Sequence, residues 1–350
     1  MKKTANKVLC ALLAGVSVFG TALTLGSCTT NHPEIEMKIA FNGETYTLEY
    51  TLYRKFAPNT VTHFLQLAEN GYYDGLCVHD YADSKLYTGG YTYDETKTQD
   101  GGLVYKSYYD EVKSYEKFTS SVWLDDKKQR STYTLYGEFA DNNVKVQNGG
   151  FLEQEFGSLT MFYTDKSDVD VPVHVEKVDG SGMDSKKYAY NSATSLFYIQ
   201  LGSSSSASSK YCTFAKLSED SVGELEELKA DIESYIDTVY AAEETPETAF
   251  APAVEIARDE DDYYVGDADL TAEYNVPEEP IVIQQVKVLK FYKSFPLRTA
   301  QGEFLSLNIG DLPVFDAYPK GADFENAGGF FIDQPTAVRF VGRKHGQESS

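Results

Sequence analysis

The stretch Tyr46 to Gly90, YTLEYTLYRKFAPNTVTHFLQLAENGYYDGLCVHDYADSKLYTGG, constrains the chain most, because it reads strand, capped helix, Gly turn, strand and Gly pair without interruption. Met37 to Phe41 and Glu44 to Leu52 alternate apolar with polar residues around Asn42-Gly43, a two-residue hairpin signal. Ala57-Pro58-Asn59 then opens a helix with Pro near its first turn. Val61, Phe64, Leu65 and Ala68 form one apolar stripe at i, i+3, i+4 and i+7, and Asn70-Gly71 closes the element. Such a helix should plug one end of a barrel. His63 falls off the stripe and reads as a solvated surface histidine rather than a ligand.

The start of the chain has a different character. Lys2, Lys3 and Lys7 precede an apolar run from Val8 to Leu25, which meets Gly26-Ser27-Cys28. A transmembrane anchor needs about 17 to 25 apolar residues, and this run is near that limit. The small residues before Cys28 and the polar TTNHPE after it favour a processed secretory signal over a permanent span. Leu25-Gly26-Ser27-Cys28 resembles a bacterial lipobox, so Cys28 is the expected lipidation site, holding an otherwise soluble body at a membrane face outside the cytoplasm. Without residues 1–27 the chain carries 28 basic and 54 acidic residues, a formal charge of −26. A body of that sign repels nucleic acid, which excludes it as a partner. Cys77 and Cys212 remain; in an exported protein they could pair, but both lie in predicted core strands, where buried free thiols are the expected form.

Further along, residues 91–136 are rich in Tyr, Asp, Lys and Thr and hold the only Trp, Trp123. From Ser221 to Tyr240, Val222, Leu225, Leu228, Ile232, Ile236 and Val239 recur at helical spacing. Residues 241–280 are acidic with several Pro and read as an excursion or a disordered loop. The tail from Lys293 is Gly-rich with short apolar pieces that could add a hairpin.

In order and spacing, Tyr46 to Gly90 resembles the opening of a cyclophilin-type prolyl isomerase, and Asn191 to Leu217 (NSATSLFYIQLGSSSSASSKYCTFAKL) resembles that family's central core strands. Tyr136-Gly137-Glu138-Phe139-Ala140 is similar to a Gly-Glu-Phe signature, Gly157 to Met161 to the strand before the active-site floor, and Ile281 to Tyr292 to the closing strand. The resemblance implies a mainly β fold: a closed antiparallel eight-stranded barrel over residues 37–292, capped by two helices. It further implies a signal at 1–27, a tether at 28–36, insertions near 91–136, 163–190 and 241–280, and a C-terminal extension at 293–350. The implied partners are proline-containing polypeptides or exported unfolded proteins, with no cofactor. The five His and the mature Cys form no metal-binding spacing, so no metal is expected.

Rotation about a peptide bond has a barrier of about 18 to 20 kcal/mol, because the C–N bond carries double-bond character. The family lowers it with an apolar pocket for the proline ring and an Arg that donates hydrogen bonds as resonance is lost, stabilisation by a preorganised donor. The resemblance places Asp80 at that Arg position, within Val78-His79-Asp80, and an ionised Asp donates nothing. Losing such a donor costs about 10²-fold or more. Thr88 and Leu196 replace two Gln, Tyr211 a His, and Ser206 and Ala207 a Trp-Leu edge. The implied peptide-binding positions are His79, Leu86, Thr88, Met161, Phe162, Leu196, Tyr198, Ala207 and Tyr211. Two functions follow: a weak extracytoplasmic prolyl isomerase assisting folding, or a non-catalytic peptide- or protein-binding module on the same scaffold.

Overall fold

A computed structural model describes residues 32–82, 84–97, 100–115, 117–142, 150–162, 172–177, 179–187, 192–202, 207–257, 271–289, 295–298 and 304–307. Cys28, the signal, the acidic run Asp259-Glu260-Asp261-Asp262 and the apolar pieces of the tail lie outside the described residues. Among the described residues no helix is long and apolar enough to cross a membrane. The chain divides into two units, Asn31–Leu289 and a second made of Met1–Thr30 with Lys290–Ser350.

The first unit opens with β1 (Glu34–Phe41) and β2 (Glu44–Leu52), in register from Glu34 opposite Thr51 to Phe41 opposite Glu44. Asn42 and Gly43 turn between them at φ 47° and 86°, the left-handed pair that a type I′ hairpin requires. Alternation sends Ile35, Met37, Ile39 and Phe41 inward with Tyr46, Leu48, Tyr50 and Leu52, all at most 3% exposed. Helix α1 (Pro58–Glu69) lays Val61, Phe64, Leu65 and Ala68 against this core, and the Phe64 ring lies 4.7 Å from Tyr73, 5.0 Å from Phe214 and 5.4 Å from Phe197. His63 is fully buried on α1 rather than solvated, because Tyr108, Phe118 and Thr119 close over that side of the helix, Thr119 supplying a carbonyl to its Nδ1 at 2.9 Å.

The chain continues through β3 (Leu76–Cys77), β4 (Asp80–Ala82), β5 (Lys85–Thr88), β6 (Tyr91–Tyr93), β7 (Leu103–Tyr105), α2 (Tyr108–Val112), β8 (Val122–Trp123), β9 (Leu135–Tyr136) and β10 (Leu159–Met161). Then follow β11 (Pro172–Glu176), β12 (Met183–Lys187), β13 (Ser192–Ala193), β14 (Phe197–Gln200) and β15 (Cys212–Leu217). Helix α3 (Val222–Val239) buries Leu225, Leu228, Ile232 and Ile236, while Val239 at its end is 54% exposed. After it come α4 (Pro246–Phe250), β16 (Ala253–Ala257), β17 (Thr271–Asn275) and β18 (Val282–Leu289).

The expected barrel appears as a curled half-barrel, a main sheet of eleven strands in the order β4-β5-β14-β10-β15-β2-β1-β18-β3-β6-β7. Its count exceeds eight because the first insertion adds β6 and β7, with Thr92 opposite Leu76, and because β3 and β4 are separate elements. The expected closing strand pairs with the first, Glu34 opposite Leu289 through Ala40 opposite Val282. The two insertions meet: β8 joins β11 and β12 in a small sheet that buries Val122, Val173 and Val175. Residues 241–280 are not a disordered loop where described. Phe250, Ile256, Tyr274 and Val276 bury themselves at intervals that pin α4, β16 and β17 to the body. In the second unit, β19 (Phe295–Arg298) pairs antiparallel with β20 (Phe304–Leu307) as a hairpin.

Candidate functional site

Register assembles the site. Asp80 on β4 faces Tyr87 on β5, Tyr87 faces Tyr198 on β14, Tyr198 faces Thr160 on β10, and Thr160 faces Thr213 on β15. Directly opposed residues of antiparallel strands share a sheet face, so these five form one row across the outside of the curl. The next row is Ala82, Lys85 and Gln200. At the Gly pair, Gly89 sits at φ 105°, and a Cβ there would lie 2.3 Å from the Ser195 carbonyl oxygen, so β5 and the approach to β14 meet only because no side chain intervenes.

Around Tyr198 the rings gather. Tyr87 lies 5.1 Å and Tyr211 6.2 Å from it, Phe162 stacks on Tyr211 at 6.5 Å, and Tyr87 meets Phe162 edge-on at 6.0 Å. The Lys85 ammonium stands 5.3 Å from the Tyr198 ring centre and 5.8 Å from that of Tyr87, within cation–π range. Gln154 Nε2 donates to the Tyr198 hydroxyl at 2.5 Å. Burial holds that phenol well above its usual range, so it stays protonated. Tyr198 is 2% exposed; Tyr87, Phe162, Tyr211 and Lys85 are half-buried and present the accessible part of the cluster.

Asp80 is half-buried rather than a solvated surface carboxylate, and its Oδ1 accepts from the Asn275 amide at 3.0 Å and the Asn275 side chain at 3.1 Å. Asp80 therefore clamps β17 onto β4. Beside it His79 is buried on the other face, its ring 4.8 Å from Tyr274 and 5.1 Å from Tyr91.

The structure thus brings Phe162, Tyr198 and Tyr211 together in one ring cluster that the other expected contacts do not join. Leu86, Thr88 and Met161 are fully buried, and Thr88 Oγ1 donates to the Cys77 carbonyl at 2.8 Å. Leu196 is half-buried against Gly90, its carbonyl accepting from Phe162 N at 2.9 Å, and Ala207 is exposed. Arg54 points elsewhere, donating to Thr62 at 3.2 Å. Cys77 and Cys212 are buried thiols and form no disulfide. Among the described residues no group of His, Cys, Asp or Glu could hold a metal ion. A separate groove of about 830 Å³, lined by Tyr81, Ser84, Glu233, Ile236 and Glu247 among others, shares no residue with the aromatic cluster.

Tyr87, Gln154 and Asn275 are missed by the sequence reading. Tyr87 had a signal: in a tight hairpin between β4 and β5, positions 80, 82, 85 and 87 must share a face. Gln154 and Asn275 had none, being brought in by segments distant in sequence.

Residues 36–239 match the family described as "Cyclophilin type peptidyl-prolyl cis-trans isomerase/CLD". A "Putative peptidyl-prolyl cis-trans isomerase" of Staphylococcus haemolyticus is 32% identical over 97 residues, covering 25% of this chain and 48% of that protein. A Staphylococcus epidermidis protein of the same description is 31% identical over 97 residues with the same coverage. The chain spans about half the length of the curated relatives it matches. A crystal structure of a Cryptosporidium parvum cyclophilin type peptidyl-prolyl cis-trans isomerase covers 74% of this chain and 98% of its own, with 15% identity and a TM-score of 0.35.

Proposed function

From the premise that this chain belongs to the cyclophilin-type peptidyl-prolyl cis-trans isomerase family, we propose that it is a weak prolyl isomerase acting on exported, proline-containing polypeptides. The observation that carries the reading is the aromatic cluster of Tyr87, Phe162, Tyr198 and Tyr211, of which Tyr87 and Tyr198 share one row with Asp80, the position that matches the family's Arg. Half-buried rings offer a proline ring an apolar seat and discourage water, which favours the less polar, twisted amide. Weakness follows from Asp80, an acceptor already engaged by Asn275 where a donor is needed.

In this reading His79, Leu86, Thr88 and Met161 support the peptide site from behind, as buried residues, and Leu196 and Ala207 lie at its rim. Cys28 is its proposed lipid anchor, on a membrane face outside the cytoplasm. A closed eight-stranded barrel is part of this reading too. What supports it is that Leu76 and Cys77 pair with β18, Val78 N donates to Ile281 O at 2.8 Å, His79 N donates to Tyr87 O at 3.0 Å, and Asp80 to Ala82 pair with β5. One short segment, residues 76–82, thereby pairs with β18 through β3 and with β5 through β4.

Exchange NMR on an Ala-Ala-Pro-Phe peptide should show cis/trans interconversion accelerated at micromolar protein; no acceleration at high protein concentration removes the reading. Asp80→Arg alone deprives both the Asn275 backbone N–H and its side-chain amide of their acceptor; an Asn275→Ala background removes the side-chain donor, so the Arg should be introduced there, with circular dichroism to verify folding. There it should raise kcat/KM about tenfold or more over Asn275→Ala alone. The Asp80–Asn275 clamp favours a second reading, a non-catalytic binding module, in which the peptide binds and neither variant accelerates anything.

A further inference from the structure

We propose that Lys85 selects proline-containing segments that carry an acidic residue beside the proline. The inference rests on the peptide site proposed above and names its substrate class. Its geometry is local. The Lys85 ammonium lies over two of the cluster's rings, 5.3 Å and 5.8 Å from their centres, while Phe162 and Tyr211 stack beside them. A ring resting on the accessible faces of Tyr87, Phe162 and Tyr211 places its chain neighbours about 3.8 Å away per residue, so the side chain of the adjoining residue reaches the ammonium.

The cation is available for that purpose. Among the described residues no carboxylate comes within 4 Å of Lys85 Nζ, although Lys38, Lys113, Lys128, Lys177, Lys216 and Lys229 each have one. Contact with the ring faces engages one side of the ammonium and leaves other N–H donors for a ligand. Asp80 is on the same face, yet its Oδ1 is occupied by Asn275. Half-burial also shields the charge from salt more than a fully exposed one. The body as a whole is strongly negative, so an acidic segment finds attraction at this point and little elsewhere.

The test compares Ala-Glu-Pro-Phe, Ala-Ala-Pro-Phe and Ala-Lys-Pro-Phe peptides with the full chain, Lys85→Met and Lys85→Glu. Isomerisation is read by exchange NMR and affinity by peptide titration, with circular dichroism to verify folding. The wild-type chain should prefer Glu-Pro over Ala-Pro by about 2- to 5-fold, in the range of one partly shielded charge pair, and disfavour Lys-Pro. Lys85→Met should level the three peptides and Lys85→Glu should reverse their order. An unordered wild type, or an order unchanged in Lys85→Glu, overturns the inference. So does an equal fall in kcat on every peptide, which would make Lys85 a donor to the rotating amide instead of a selector. If no peptide is isomerised while the affinity order still reverses, the isomerase reading fails and the selectivity stands.

Discussion

An imidazole enclosed on every side is costly to charge, and His63 is enclosed by parts of the chain far apart in sequence. Its Nδ1 meets the Thr119 carbonyl at 2.9 Å, its Nε2 the Thr194 carbonyl at 3.0 Å and the Tyr108 hydroxyl at 3.2 Å. Burial pulls its pKa down from 6.5 to about 4, against the pull of the two carbonyls. Because the folded value is depressed, the unfolded chain binds the proton first. Stability is therefore full above pH 6.5 and drains away as pH falls toward 4, by about 3 kcal/mol in total. Urea midpoints should fall over that window in the wild-type chain. In His63→Asn they should start lower and slope less; parallel slopes would rule the histidine out as the cause. Periodicity could place His63 off the apolar stripe but could not see that an insertion covers that flank. Asp80 was legible in the same partial way: its chemistry excludes donation, but the Asn275 that occupies it lies 195 residues on.

Among the elements, α1 shows how one motif serves another. Ala57 precedes the helix with no side-chain cap, and the first backbone amides need acceptors. Glu138, from the Gly-Glu-Phe segment, provides them: it accepts from Asn59 N at 3.1 Å, Thr60 N at 2.9 Å and Thr60 Oγ1 at 2.8 Å while 4% exposed. Burial pushes this carboxyl above its ordinary range and the three hydrogen bonds oppose that. Glu138→Ala should leave buried donors unanswered and cost about 3 kcal/mol in urea unfolding. Hydrogen exchange should quicken at Asn59 and Thr60 before the rest of α1; unchanged exchange there would show that another group caps the helix. The hairpin, α1 and α3 were legible because hairpin chemistry and apolar period are local signals. Ordered strands at 253–257 and 271–275 were not, since their acidic composition hides the few apolar residues, Ile256, Tyr274 and Val276, that anchor them.

At the scale of the molecule, the question is whether the insertions share the main body's cooperativity. The principal core runs from β1 through α3, and the joint between β1 and β18 ties residues near 34–41 to residues near 282–289, so this body cannot open piecemeal without losing the sheet. The small sheet of β8, β11 and β12 stands outside that core: its buried Val122, Val173 and Val175 belong to neither of the two hydrophobic clusters. Three valines remove too little apolar surface to offset the ordering of three strands, so its stability rests on its attachment. Nature has left a reporter inside it, since Trp123 is the only tryptophan, pairs with His174 and lies under the Lys128 ammonium at 4.9 Å. In urea, the Trp123 fluorescence change should precede the far-ultraviolet circular dichroism transition, by about 1 M for a local opening 2 kcal/mol less stable than the body. A single coincident transition would mean that insertions and body unfold as one. The early transition would instead identify the insertions as units that open while the aromatic cluster stays assembled, leaving them free to vary without disturbing the row from Asp80 to Thr213.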